Sequence, residues 1–395
     1  MKTRLLIIAL FVLTTGIVLG YPGSSQVQPP LPQPLPEPVA QKARIDAVFV
    51  LDTTGSMGGL IQAAKENIWS IASSMASAQP TPELRIGLVA FRDRGDDYVT
   101  RVFDLSTDLD AMYLELMSFQ ANGGGDFPEA VNEALHDAVH RISWTQDDGA
   151  YKVIFLVGDA PPQMHYPDDV KYPEILKVAR ERGILVNTIQ AGDHPATRHA
   201  WEQIAALGGG ESFRVSMQGD AIAVTTPFDE EIARLSRQLD ETRLFYGSQE
   251  RQASLARKAE ASAELDRTTT LGARVKRGLF NASSAGEANF LAGADLVDDL
   301  HHGRVDIDSL EDSHLPAPIA ALAPEARRDA IEQAASRRTE LQARMAELAE
   351  ERREHVEATL RERDGVESSL DSQLFEVVKA QAATMGLQYE GKEAH

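Results

Sequence analysis

The chain contains no cysteine, which excludes disulfides, a thiolate nucleophile and any cysteine-ligated metal. Basic residues are in the minority: 39 Lys and Arg stand against 60 Asp and Glu, a formal charge of −21. That balance argues against a nucleic-acid partner, which would ask for a basic patch. It suits solubility and attraction of cations or basic partners. No Gly-x-Ser-x-Gly elbow occurs, and no glycine-rich phosphate loop is followed by Lys and Ser or Thr. Past about Pro227 the aromatics thin out and strand patterns disappear.

What is present begins with a leader. Lys2 and Arg4 precede an apolar run from Leu5 to Gly20, interrupted only by Thr14 and Thr15. A membrane-spanning helix needs roughly 20 apolar residues, so residues 1–20 read as a cleaved secretory signal, with an uncleaved anchor as the alternative. The mature protein is then exported, periplasmic or extracellular, with no membrane span left after cleavage. Residues 21–42 are proline-rich, including Pro-Pro-Leu-Pro-Gln-Pro-Leu-Pro-Glu-Pro at 29–38. They form an extended, semi-rigid spacer.

Residues 43–226 alternate between apolar strands and amphipathic helices. Strands are expected at Asp46–Leu51, Leu84–Phe91, Tyr98–Phe103, Lys152–Val157, Ile184–Ile189 and Glu211–Val215. Helices fall between them at Leu60–Ser77, Leu109–Phe119, Glu129–Ile142, Tyr172–Arg182 and Thr197–Ala206. This order predicts an α/β fold, a doubly wound and mostly parallel sheet with helices on both faces. The short turn from Asp93 to Asp97 adds an antiparallel edge hairpin. Residues 227–395 read as an α-helical, partly coiled-coil-like region, with long helices over Phe228–Leu265 and Pro324–Arg363. The 3-4 repeat Ile331, Ala334, Arg338, Leu341, Met345, Leu348, Arg352 would place two arginines in a heptad seam. That disfavours a parallel coiled coil and favours packing on neighbouring helices of the same chain.

The chemistry gathers in three loops that follow strands. Asp52-Thr53-Thr54-Gly55-Ser56 ends an unbroken apolar run. Gly123-Gly124-Gly125-Asp126-Phe127-Pro128-Glu129 opens a helix, and Gly158-Asp159-Ala160-Pro161-Pro162 ends another apolar strand. In a parallel sheet such loops share the carboxyl edge. Two carboxylates, two hydroxyls and waters make an all-oxygen shell suited to Mg²⁺ or Mn²⁺ rather than zinc. With few direct carboxylates, the cation stays under-neutralised and attracts an acidic group from outside. Taken alone, Asp52 to Ser56 would also serve as a helix cap.

Asp52-x-Thr54-x-Ser56 with Asp159 resembles the metal-ion-dependent adhesion site of von Willebrand factor type A domains. The resemblance covers residues 43–226 and comes nearest a secreted bacterial branch with Phe91-Arg92-Asp93, Gly-Gly-x-Asp-x-Pro-Glu and Asp-Ala-Pro-Pro, as here. It implies metal ligation by Thr54 and Ser56, with Asp52 and Asp159 acting directly or through water. The family's second-loop threonine is missing, and Asp126 is its substitute. The implied function is non-catalytic, metal-dependent binding of a protein that offers an acidic side chain.

Two other classes are readable. Asp52 after a strand resembles the nucleophile of aspartate-dependent phosphohydrolases, but the second acid expected two residues later is Thr54. An envelope scaffold that oligomerises through its helical region is the third reading. Arg94-Gly95-Asp96 spells an adhesive tripeptide and reads as a charged turn. His136 and His140, at i and i+4, read as a polar helix face, and the neighbours His301 and His302 as a solvated turn.

Overall fold

Six strands form one sheet in the order β3-β2-β1-β4-β5-β6. They are β1 (Arg44–Asp52), β2 (Glu83–Phe91), β3 (Thr100–Ser106), β4 (Tyr151–Gly158), β5 (Ile184–Ala191) and β6 (Gly209–Val215). Only β3 runs antiparallel, paired with β2 at one edge. The computed structural model describes residues 43–59, 61, 71–125, 127–147, 149–216, 224–362 and 370–389. The expected signal and proline-rich stretch, most of the Leu60–Ser77 helix, and Asp126 lie outside these.

β1 is central because both of its faces are buried. Ile45, Ala47, Phe49 and Leu51 face one layer, while Val48 and Val50 face the other. Alternate residues of a strand point to opposite faces, so an unbroken apolar run belongs where helices cover both sides. The second layer is filled by α2 (Val131–His140), α3 (Tyr172–Glu181) and α4 (Pro195–Gly208). The first contains α1 (Leu109–Ser118) and the helical residues 71–76. The chain turns from one side of the sheet to the other between β1 and β4, so their carboxyl ends border the ligand crevice of doubly wound folds.

The helical region packs against this sheet. Leu265, Phe280, Leu374, Val378 and Leu387 share one hydrophobic cluster with Ile45, Phe49 and Phe155. The expected single helix over Phe228–Leu265 is two, α5 (Asp229–Asp240) and α6 (Gln249–Thr268). Between them the chain extends, and the Leu244 amide bonds the Asp295 carboxylate at 3.1 Å. Gly247 has φ +126°, open to glycine and strained for other residues. Ser248 then caps α6 by accepting from the Arg251 amide. α7 (Leu271–Ala282), α8 (Pro324–Glu362) and α9 (Leu370–Ala383) follow.

The α8 seam is spent inside the chain. Ile331, Leu341, Met345 and Leu348 are buried, and the two seam arginines find carboxylates. Arg338 binds Asp295 at 2.7 and 3.0 Å and also donates to the Thr242 carbonyl. Arg352 donates to Asp229 at 3.1 Å.

A second charged knot ties the helical region to α1. Asp110, fully buried, accepts two bonds from Arg277 at 2.8 and 2.7 Å and one from Ser262 at 2.6 Å. Lys258 reaches Asp108 at 2.7 Å and Asn289 at 3.0 Å. Burial opposes ionisation of Asp110, but the charge and bonds of Arg277, with Lys258 and Ser262, hold its carboxyl well below the usual range. At the other end, Gln381 of α9 exchanges two amide bonds with the buried Asn187 and accepts from the Tyr151 hydroxyl.

Removing one partner of a buried pair strands the other charge, at a cost of about 3–5 kcal/mol. Arg277→Ala is expected to lower unfolding stability by that order in urea melts. Arg337→Ala, at an exposed position of α8, should change it by less than about 0.5 kcal/mol. Equal losses from the two would show that the knot does not hold the halves together.

Candidate metal centre

Asp52 is the last residue of β1 and fully buried. The Thr54 amide and hydroxyl donate to its Oδ1 at 2.9 and 2.7 Å. Thr54 Oγ1 lies 3.3 Å from Ser56 Oγ, so the three predicted oxygen donors of the first loop gather at one point. Thr53 points the other way, donating to the Phe91 carbonyl at 2.9 Å and touching the Tyr98 hydroxyl at 2.7 Å. The alternation separates a structural threonine from a ligand-type one.

Asp52 Oδ2 is buried without a hydrogen-bond partner. A carboxylate oxygen in that condition costs free energy unless a cation or donor meets it. Gly158, the end of β4, lies against the same carboxylate: a Cβ there would sit 3.1 Å from Asp52 Cβ and 3.2 Å from Oδ2. The missing side chain therefore lets β4 deliver Asp159 beside Asp52. Asp159 is half-buried, and Thr197 of α4 donates to its carbonyl at 2.9 Å.

The second loop follows α1 and not a strand as expected, and it is tied to the first by main-chain bonds. Gly55 N donates to the Gly123 carbonyl at 3.1 Å and Asn122 N to the Thr53 carbonyl at 3.1 Å. Gly123 and Gly124 both have positive φ, and a Cβ on Gly124 would meet Thr54 Cβ at 3.0 Å and Glu129 Oε1 at 3.1 Å. Asp126, expected as the second-loop ligand, lies outside the described residues. Glu129 was not among the expected ligands. It is buried, its Oε2 lacks a hydrogen-bond partner, and its carboxylate stands beside Thr54 across Gly124. Its signal in the sequence was its place at the end of the Gly-Gly-x-Asp-x-Pro-Glu run.

Burial is the main force raising Asp52 to about 7; the Thr54 bonds oppose it and the Asp159 charge adds to it. Burial also raises Glu129 to about 8, helped by the charges of Asp52, Asp93, Asp96 and Asp159. Among the described residues no three carboxylates or imidazoles converge tightly enough to cage an ion by themselves. Hydroxyls and water would have to complete the shell. The donor set fits a hard cation: Asp52 and Asp159 supply charge, and Thr54 and Ser56 supply neutral oxygens.

Residues 47–217 match the family model described as von Willebrand factor A domain. The chain carries a von Willebrand factor A domain. The murine "von Willebrand factor A domain-containing protein 7" is 32% identical over 176 residues, 41% of this chain and 18% of its own. Its human counterpart is 36% identical over 115 residues, 29% of this chain and 12% of its own. The chain thus spans less than a fifth of these relatives' length. Among solved structures, a von Willebrand factor type A protein from Catenulispora acidiphila is similar at 20% identity and TM-score 0.33. It covers 44% of this chain and 39% of that one. A mussel byssus matrix protein described with a zinc-occupied adhesion-site motif is similar at 18% identity and TM-score 0.31, over 45% of this chain and 42% of that one.

The other motifs are absorbed by the scaffold. Arg94 pairs with Glu133 and Asp168, each within 2.8 Å, and lies over the Tyr166 ring. Asp96 accepts the Asp93 and Gly124 amides. The Arg-Gly-Asp tripeptide is thus the charged turn expected of it, and it braces the glycine loop. His136 and His140 stack at 4.4 Å, and His140 Nδ1 donates to the His136 carbonyl.

Both site acids are raised by folding, Asp52 from 3.8 and Glu129 from 4.5. The folded state then holds more protons than the unfolded between about pH 4 and 8, so their contribution is present at low pH and lost as pH rises through about 7–8. In EDTA, Tm is expected to fall across pH 5–8, and Asp52→Asn or Glu129→Gln should flatten that fall. An unchanged slope in both variants would mean that these carboxyls are ionised throughout.

Proposed function

We propose that the protein is a non-catalytic, metal-dependent binding module of the cell exterior. In this reading Mg²⁺ or Mn²⁺ sits among Asp52, Thr54, Ser56 and Asp159, with Asp126 as a further second-loop ligand. The ion captures an acidic side chain of a partner protein. The observation that carries the reading is the buried, partnerless Oδ2 of Asp52 beside two convergent hydroxyls. A hard cation would satisfy that oxygen and leave positive charge for an outside carboxylate, which hydroxyl ligands do not neutralise. The domain match supports a binding module. The leader-like residues 1–20 support export, and the three-loop motif supports affinity to the secreted bacterial branch.

The arrangement gives no support to the phosphohydrolase reading. The residue two places after Asp52 is Thr54, bonded to Asp52 itself, which leaves no general acid at that position.

Calorimetric titration should show Mg²⁺ and Mn²⁺ binding that is lost in Asp52→Ala, with Zn²⁺ as the competing case. Loss of a direct ligand should weaken affinity at least about tenfold, the effect attached even to residues that only support ligands. Partner capture from the native envelope should disappear in EDTA. No metal binding by the wild-type chain, or capture that survives chelation, would overturn the proposal.

A further inference from the structure

A polar cavity lies at the end of β4 opposite the metal centre. Lys152 is the second residue of that strand and Gly158 the last. Six residues at roughly 3.3 Å each put it about 20 Å from the metal centre. The cavity holds about 700 Å³, within the range of small-molecule sites. Its lining includes Trp144, Lys152, Arg180, Arg182 and Met385.

The electrostatics are unlike those of the rest of this acidic chain. Lys152 is 6% exposed, and its ammonium donates to the Thr145 carbonyl at 3.3 Å. An ammonium carries three donors, so two are left for something in the cavity. Its cross-strand register partner is Asp46, but that carboxylate is already occupied. Asp46 accepts from Arg85 at 2.8 and 2.6 Å and from the Thr145 amide at 2.8 Å. Arg180 and Arg182, at the exposed end of α3, also line the cavity, with the Arg180 guanidinium on the Gly209 side. Arg182 also bonds the Val139 carbonyl. No carboxylate among the described residues forms an ion pair with Lys152, Arg180 or Arg182. Glu181 is the acid of the lining. Trp144 and Met385 give the cavity an apolar wall.

We propose that this cavity is an anion site, taking a small oxyanion (phosphate or carboxylate) attached to a compact apolar body. Lys152 supplies a buried point charge, and the arginines at the exposed rim add positive charge around the entrance. The apolar body rests on Trp144. The site is independent of the metal centre and of the partner it captures.

The test uses the full chain in EDTA at low ionic strength, with inorganic phosphate, phenyl phosphate and succinate as separate probes, followed by calorimetry and tryptophan fluorescence. Saturable binding that weakens with added salt is expected. Phenyl phosphate should bind tighter than phosphate, and Trp144→Phe should remove the fluorescence change. Losing one charge-assisted contact should weaken binding about tenfold. Arg180→Gln and Arg182→Gln, at exposed positions, are each expected to do so without lowering Tm, and Asp52→Ala should have no effect. The proposal is overturned if none of the three probes saturates by about ten times the usual millimolar ceiling for weak ligands. It is overturned equally if both arginine variants bind as wild type does. If only Lys152→Met matters and it acts by lowering Tm, Lys152 is a structural donor to the Thr145 carbonyl and not a ligand group, which also overturns it.

Discussion

The structure turns on one unfavourable placement, a carboxylate removed from water at the end of the central strand. β1 is buried on both faces, so whatever residue ends it is buried too, and that residue is Asp52. Transferring an ionised carboxylate out of water is expensive unless it is paired. Here half of it is met by Thr54 and half is left open. The surroundings are arranged around the open half. Gly158 gives up a side chain so that β4 can approach, and Gly124 does the same for the second loop. Asp159 and Glu129 are then brought near a charge that repels them. Such crowding of acids is a loss in the empty fold and a gain when a cation is bound. That sign reversal is what the proposed metal-dependent function would use.

The loops that crowd Asp52 are held by bonds that do not involve the ligands. Arg92 donates to the Thr53 carbonyl and the Gln120 carbonyl, linking the first loop to the chain that leaves α1. Asp96 holds the glycine loop through the Gly124 amide. The second and third loops are joined as well, the Glu129 amide bonding Pro161 O and the Gln163 amide bonding Glu129 O. Preorganisation of this kind spares the site the ordering cost that a flexible ligand set would incur on binding.

Most of the sheet was legible in the sequence because buried parallel strands write themselves as unbroken apolar runs, as β1 does over 47–51 and β4 over 153–157. The antiparallel edge was legible from the shortness of the Asp93–Asp97 turn. Asp52, Thr54, Ser56 and Asp159 were legible because capping-type residues recur directly after such strands. Glu129 was not, since a glutamate opening a helix is an ordinary helix start and its burial depends on loops distant in sequence. The break after Asp240 was hidden for a similar reason. Its stabilising partner, Asp295, lies about fifty residues on, and local helix propensity continues past the break. The arginines of α8 were visible as exceptions in an apolar seam, but their meaning needed Asp295 and Asp229 in place.

Those arginines fix how the helices of this region pack on one another. A seam of leucines alone would pack against any similar helix. Two buried guanidinium groups restrict it to surfaces that present carboxylates at matching positions, because an unpaired buried charge costs several kcal/mol. Asp295 and Asp229 provide them within the chain. Asp110 repeats the device between α1 and α7. The charges on these helices therefore act as register marks, with apolar contacts supplying most of the adhesion. α1 leads directly into the second metal-centre loop, and its own first turn is pinned by Arg277, Lys258 and Asn289. The helical region thereby fixes one end of the segment whose other end shapes the site.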